Sequence, residues 1–247
     1  MKLNRSLVVA VLALCSSAGA WSMEAQTLLR RADEFRAGRA GTRLEVTVRA
    51  LGADGAVSKE REYSVYTAEA GKTVVVMRSP SEVGQKVLMA DEQFWMVLPN
   101  TQRPMRITPM QKLLGEASVG DIAASSWIGD YEVVKSEPFR CKARACERLD
   151  LRATRPSVTY QRMVLLVDAV TAKPISADLY LQSDKLAKQV EFTIGKSGAG
   201  ESLKDMVFRD ALANGKTTRV SYGVPQKYSV PKTWLNPMGL INSGQIN

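Results

Sequence analysis

From Arg43 onward the chain is a succession of short runs in which apolar and polar residues alternate, each closed by a turn signal. In the run 43–51, Leu44, Val46 and Val48 alternate with Arg43, Glu45, Thr47 and Arg49. That period of two places one set of side chains on a buried face and the other in water. Ala53-Asp54-Gly55 is a turn signature, 57–67 returns, Gly71 turns again, and the strongly apolar run 73–78 ends at Pro80. A hairpin over 86–90 and 94–98 follows, joined by Asp91-Glu92-Gln93. After a gap come 131–138, 146–154, 160–168, 174–182, 188–194, 203–211 and 217–228, the last two joined by Asn214-Gly215. The pattern predicts roughly eleven strands at the spacing of about 8–12 residues found in all-β folds. Short turns make neighbours antiparallel, and a sheet this long tends to curl.

Two regions break the pattern. Residues 22–36 predict a helix: Ala25, Leu28, Leu29, Ala32 and Phe35 recur on one face, with Ser22 as N-cap and Gly38 and Gly41 at its end. Mid-chain, after Arg103-Pro104-Met105-Arg106-Ile107-Thr108-Pro109, lie two short helix-like pieces, 110–114 and 119–126, then Trp127-Ile128-Gly129-Asp130-Tyr131. Isolated helices this short are marginal in water, so they must pack on the strands. The expectation is an incomplete, half-open antiparallel β-barrel with an N-terminal helix and a short helical lid. Met110, Leu113, Leu114, Ile122 and Trp127 would point into its cavity, with Gly120 and Gly129 as hinges. Arg103 and Arg106 are candidates for a latch that caps the lid's carbonyls. The tail beyond Val230, with Pro231 and Pro237, reads as irregular.

The first twenty residues read as a cleavable export signal: basic Lys2 and Arg5, an apolar run from Leu7 to Leu14, and Ala18-Gly19-Ala20. Cys15 belongs to that discarded signal. Residues 21–247 then form one domain. Cys141 and Cys146, four residues apart in an exported chain, suit a disulfide across the end of a hairpin. The formal charge of +9 loses two positive charges with the signal. A basic exported protein suits anionic headgroups or acidic partners. The cations are scattered rather than clustered, which argues against nucleic acid.

The chain has no histidine. A Ser-His-Asp or Cys-His site is therefore impossible, and the commonest metal ligand is missing. Gly195-Lys196-Ser197-Gly198 has the wrong spacing for a nucleophile elbow. Asp121, Asp130 and Glu132 are the only carboxylates near the lid that could serve a glycosidase-like pair, and Asp121 reads better as a capping residue three positions after Ser118. The expectation is no catalysis, no cofactor and no metal. Met77, Met89, Met96, Met105 and Met110 fall within one third of the chain, and methionine suits surfaces that accept varied apolar ligands as well as ordinary cores.

The segment Val87-Leu88-Met89-Ala90-Asp91-Glu92-Gln93-Phe94-Trp95-Met96-Val97-Leu98-Pro99, then Arg106-Ile107-Thr108, Leu114-Gly115-Glu116-Ala117-Ser118-Val119-Gly120-Asp121-Ile122-Ala123, Trp127 and Asp130-Tyr131, resembles the outer-membrane lipoprotein-sorting proteins, the LolA-like periplasmic carriers. The resemblance implies an incomplete β-barrel whose apolar concave face is covered by short helices. It implies a monomeric, non-enzymatic carrier that shuttles lipoprotein acyl chains or lipid from an inner-membrane transporter to an outer-membrane acceptor. By the same likeness Leu113, Leu114, Ile122 and Trp127 form the lid, and Met89, Trp95 and Val97 help line the cavity. A sensor of the same fold that binds an envelope protein is the alternative.

Overall fold

The computed structural model describes residues 24–36, 40–123, 126–142, 144–197, 200–211 and 217–246. The expected export signal, Cys15, Ser22, Gly38 and the expected Asn214-Gly215 turn lie outside the described residues. Helix α1 covers residues 24–36. Six strands then run outward by hairpins: β1 (Thr42–Leu51), β2 (Val57–Thr67), β3 (Thr73–Met77), β4 (Lys86–Ala90), β5 (Gln93–Val97) and β6 (Met105–Ile107). Seven more build the other half: β9 (Tyr131–Cys141), β10 (Arg144–Ala153), β11 (Arg162–Asp168), β12 (Pro174–Tyr180), β13 (Leu186–Ser197), β14 (Gly200–Asp210) and β15 (Thr217–Tyr222). The order in the sheet is β6-β5-β4-β3-β2-β1-β15-β14-β13-β12-β11-β10-β9, and a short β16 (Gln226–Lys227) also pairs with β1. Every pairing is antiparallel.

This is the mostly β, unclosed sheet that the alternation predicts. It contains more strands than expected because several pairings span only two or three residues, too short to show a period.

The order explains the gap in the pattern. β6 and β9 are opposite edges of the sheet, so residues 108–130 must cross from one edge to the other. The described residues of this crossover, 108–123 and 126–130, lie over one face. Leu114, Ala117, Val119, Ile122 and Trp127 share a buried cluster with α1 and with strand residues from both halves of the sheet, including Val46, Val75, Leu149 and Phe208. The crossover is a plug, and it fills the space that a second sheet would occupy in a sandwich. The sheet curls around it: Glu92, in the β4–β5 turn, accepts a hydrogen bond from Ser157 and pairs with Arg155, both in the β10–β11 loop of the other half.

The plug's first piece is a strand rather than the expected helix. β7 (Lys112–Leu114) pairs with β8 (Ala117–Ser118), and α2 (Val119–Ile122) and α3 (Trp127–Asp130) follow. Gly115 turns this hairpin at φ +55°, and a Cβ there would collide with Thr218 Oγ1. Gly115→Ala therefore combines left-handed strain with a steric clash. It is expected to lower stability by about 1–3 kcal/mol, read as a shift of the urea midpoint at constant slope. A wild-type midpoint would show that the hairpin is not seated against β15.

The other face of β2–β5 carries a second cluster: Tyr66, Val74, Val76, Leu88, Ala90 and Val97, covered by Leu240 and Ile246. The tail is thus ordered, contrary to its irregular reading. A 3₁₀ turn (Lys232–Leu235) leads into α4 (Pro237–Asn242), with Pro237 at N1 and Asn236 Oδ1 accepting from Gly239 N at 2.7 Å. Lys86 Nζ donates to Leu240 O at 3.1 Å, Gly244 O at 2.6 Å and Ser243 Oγ at 3.0 Å. All five residues of β3 are buried. A strand covered on both faces reads as a continuous apolar run, and the tail supplies the second cover. The Cys141–Cys146 disulfide closes the β9–β10 hairpin with Cα atoms 5.9 Å apart.

Candidate functional site

Beneath the plug is a crevice lined by aromatic and aliphatic side chains of α3, the β10–β11 loop and strands β11–β14, among them Trp127, Tyr160, Met163, Phe192 and Phe208, with Arg36 and Asp121 at its polar side. Its free volume is about 40 Å³. A water needs about 10–15 Å³ measured the same way, so the crevice holds a few waters and no acyl chain. The plug's own side chains occupy the rest.

Trp127 is the largest of them. It is 4% exposed, meets Phe192 edge-on at 5.7 Å and carries the Arg36 guanidinium 4.9 Å from its ring centre. Ile122 and Leu114 are buried in the same cluster, and Leu113 and Met89 pack against it half-buried. These five of the expected residues come together. Three do not. Trp95 and Val97 belong to the second cluster, beneath the C-terminal tail on the opposite face. The alternation of β5 turns Phe94 and Met96 toward the plug instead. Met110 is exposed and lies in neither cluster. Arg103 and Arg106 are exposed, and among the described residues neither side chain has a hydrogen-bond or ion-pair partner, so neither caps the plug. Gly120 is no hinge: a Cβ there would sit 2.9 Å from Thr159 Oγ1 and 3.1 Å from Pro109 O. Close approach, not freedom, explains that glycine.

Three carboxylates tie the plug down. Asp33, buried on α1, accepts Ser126 Oγ at 2.5 Å and Trp127 N at 3.0 Å, which anchors the start of α3. Asp121 accepts Ser118 N at 2.9 Å and Ser118 Oγ at 2.7 Å, the capping role expected of it. It also pairs with Lys188 Nζ of β13 at 2.9 Å, both side chains 5% exposed, and accepts the Tyr160 hydroxyl at 3.2 Å. Asp130 pairs with Arg155 Nη2 at 2.5 Å, and Arg155 also reaches Glu92 Oε1 at 3.0 Å and Gly129 O at 2.9 Å. Arg155 is therefore a clasp between the plug and both halves of the sheet. Glu116 N donates to Thr218 Oγ1 at 2.8 Å, a fourth tie.

Burial raises the Tyr131, Tyr160 and Tyr222 hydroxyls far above the usual phenol value, so all three stay neutral and can act as donors. Tyr131 donates to Tyr160 O at 2.9 Å. Burial also pushes the Asp130 carboxyl up, against the pull of Arg155. A carboxyl raised on folding stabilises the fold when protonated, and that contribution fades as pH rises through its folded-state value. Arg155→Met removes the opposing pull. The variant should be about 1–3 kcal/mol less stable than wild type at neutral pH, with the deficit shrinking as acid protonates Asp130. Urea midpoints near neutral and near pH 4 check this; an equal deficit at both would remove the electrostatic role of the clasp.

Sequence reading missed Asp33, Lys188, Tyr160, Arg155 and Thr218. Their partners lie 25 to 102 positions away. Asp33 left one trace: it stands four residues after Leu29, on the face of α1 that is otherwise apolar. The site offers an apolar interior, neutral phenols and paired charges. Among the described residues, no group of three or more His, Cys, Asp or Glu could hold a metal ion.

A family model described as "-like: Uncharacterized protein" matches residues 69–233. No curated protein matches the chain. Among solved structures, the chain is similar to a LolA superfamily protein from Nitrosomonas europaea, at 26% identity and TM-score 0.77, over 86% of this chain and 97% of that one. A DUF1329 family protein from Desulfovibrio piger shares the fold at 18% identity and TM-score 0.68, over 87% and 97%. So does a domain from Vibrio parahaemolyticus classed with outer membrane lipoprotein-sorting proteins, at 16% identity and TM-score 0.64, over 86% and 97%.

Proposed function

This chain belongs to the LolA-like family, and on that premise we propose that it is a periplasmic carrier that takes lipoprotein acyl chains or lipid beneath its plug and shuttles them from an inner-membrane transporter toward an outer-membrane acceptor. It works without catalysis or cofactor.

The observation that carries this reading is the filling of the inner face. A crossover of about twenty residues, fixed by a handful of polar ties, occupies a face that could otherwise hold an acyl chain. Burying each CH₂ is worth about 0.8 kcal/mol, so a single acyl chain in water costs on the order of 10 kcal/mol. A permanently open groove of matching size would bind too tightly to release. A plug that refills the groove makes binding an exchange of one apolar contact for another, and the net affinity stays moderate. Trp127, Ile122 and Leu114 are the side chains that cargo displaces; Phe192, Phe208 and Met163 are the wall it meets.

The test is mass spectrometry of lipids that co-purify with the protein from the periplasm, alongside a Leu113→Glu variant. Acylated species bound to the wild type and lost from a folded variant are expected, because a carboxylate cannot follow an acyl chain into an apolar groove without a partner. A wild-type protein free of lipid, and unable to take up a lipopeptide, would contradict the carrier reading.

A further inference from the structure

The tip of the β9–β10 hairpin and the turn beside it carry a surface that the carrier reading does not use. β9, eleven residues long, starts at Tyr131 beside the plug and ends at Cys141, roughly 30 Å away at strand rise. There the disulfide staples the β9–β10 tip, with Lys142 turning the chain at φ +49°. Phe139 on this tip is 46% exposed. Arg140 and Lys142 are exposed, and among the described residues neither side chain has an ion-pair or hydrogen-bond partner.

The β11–β12 turn lies against the tip, through Ala169 N to Ala145 O at 3.2 Å and Arg144 to Asp168 at 3.8 Å. Asp168 Oδ1 accepts Val170 N at 3.1 Å and Thr171 N at 2.8 Å, and the turn so formed presents Val170 at 77% exposure. Arg31 of α1 donates to Val170 O at 3.1 Å, bringing a further cation to the same place. Of the acids nearby, Asp168 is engaged by the turn and Arg144, Glu201 by Lys173 at 2.7 Å, Glu137 by Lys135 and Arg148, and Glu147 by the Ser136 hydroxyl. Two exposed apolar side chains, Phe139 near the end of β9 and Val170 in the β11–β12 turn, therefore stand among an excess of positive charge.

We propose that this stapled end docks on an anionic phospholipid surface, with Phe139 and Val170 entering the headgroup layer and Arg140 and Lys142 pairing with lipid phosphates. Apolar tips ringed by cations match the interface of an acidic bilayer, where bulky side chains enter and basic ones stay at headgroup level. An acidic protein surface would satisfy the cations but leave Val170 without an apolar partner.

The experiment is vesicle co-flotation of the intact oxidised protein. Phosphatidylglycerol mixed into phosphatidylethanolamine is compared with phosphatidylcholine, at low and high salt. Wild type should float with the anionic vesicles and be released by salt. Arg140→Glu/Lys142→Glu should weaken binding on the order of 100-fold, because each reversal replaces an attraction worth several-fold in affinity by a repulsion. Phe139→Ser should weaken it several-fold, and both variants should keep wild-type lipopeptide uptake. Equal binding to phosphatidylcholine, an unaffected double variant, or failure to float at all, including the case where the patch captures an acidic protein instead, overturns the proposal. Because lipopeptide uptake is read separately, failure here is distinct from failure of the carrier reading.

Discussion

Lys188→Met is expected to lower global stability by about 3 kcal/mol, the lower part of the range for breaking a buried ion pair. The loss follows from what remains. Lys188 and Asp121 are both 5% exposed, so the carboxylate loses its counter-charge with little water to replace it. The effect stays at the low end because Asp121 keeps Ser118 N, Ser118 Oγ and the Tyr160 hydroxyl. Lys188→Met/Asp121→Asn should recover part of the loss, since the amide still accepts the Ser118 N–H while no charge is stranded. Urea midpoints at constant slope measure both. If the single variant were as stable as wild type, or the double variant lost the sum of two large effects, the pair would not be the tie that holds α2 to β13.

Asp33→Ala is expected to cost about 2–3 kcal/mol and, more informatively, under the proposed carrier function, to make the protein bind an acyl ligand more tightly. Asp33 is the acceptor for Ser126 Oγ and for the buried Trp127 N–H. Without it α3 loses its anchor while the strands keep every ladder hydrogen bond. The destabilisation should therefore be local: faster amide exchange over residues 119–130, with protection unchanged in β1, β10 and β15. If cargo must displace the plug, whatever weakens plug docking is returned as affinity. A loss of 2–3 kcal/mol corresponds to at most roughly a 30- to 150-fold lower Kd for an acyl ligand. A destabilised variant with unchanged Kd would mean that α3 stays in place when cargo binds.

How far the fold was legible depends on where the physical signal is local. β1 and β10 have one face in the core and one in water, so alternation located them. The capping pair Ser118–Asp121 spans three residues and was readable for the same reason. β4 and β5 offered no such signal for direction, because the C-terminal tail covers their second face; Trp95 and Val97 look as apolar as Phe94 and Met96, and only the docked tail separates them. β7 was misread as helix because three residues carry no period, and its hairpin depends on Gly115 meeting Thr218, a partner about a hundred positions away. The plug's ties were invisible for that reason too. Arg103 and Arg106 were plausible latches by nearness in sequence, whereas Arg155 holds the clasp by nearness in space.

The most direct test of the central claim is the emission of Trp127 during titration with a diacylated lipopeptide, taken as the difference between wild type and Trp127→Phe. Trp127 is packed between Arg36 and Phe192 in the plugged molecule. The account predicts a saturable shift of its emission to longer wavelength, with faster amide exchange in residues 119–130, as the ring leaves the core and cargo takes its place. Saturable lipopeptide binding with the Trp127 emission unmoved and the plug's exchange unchanged would contradict it, because cargo would then be bound somewhere that the plug does not guard.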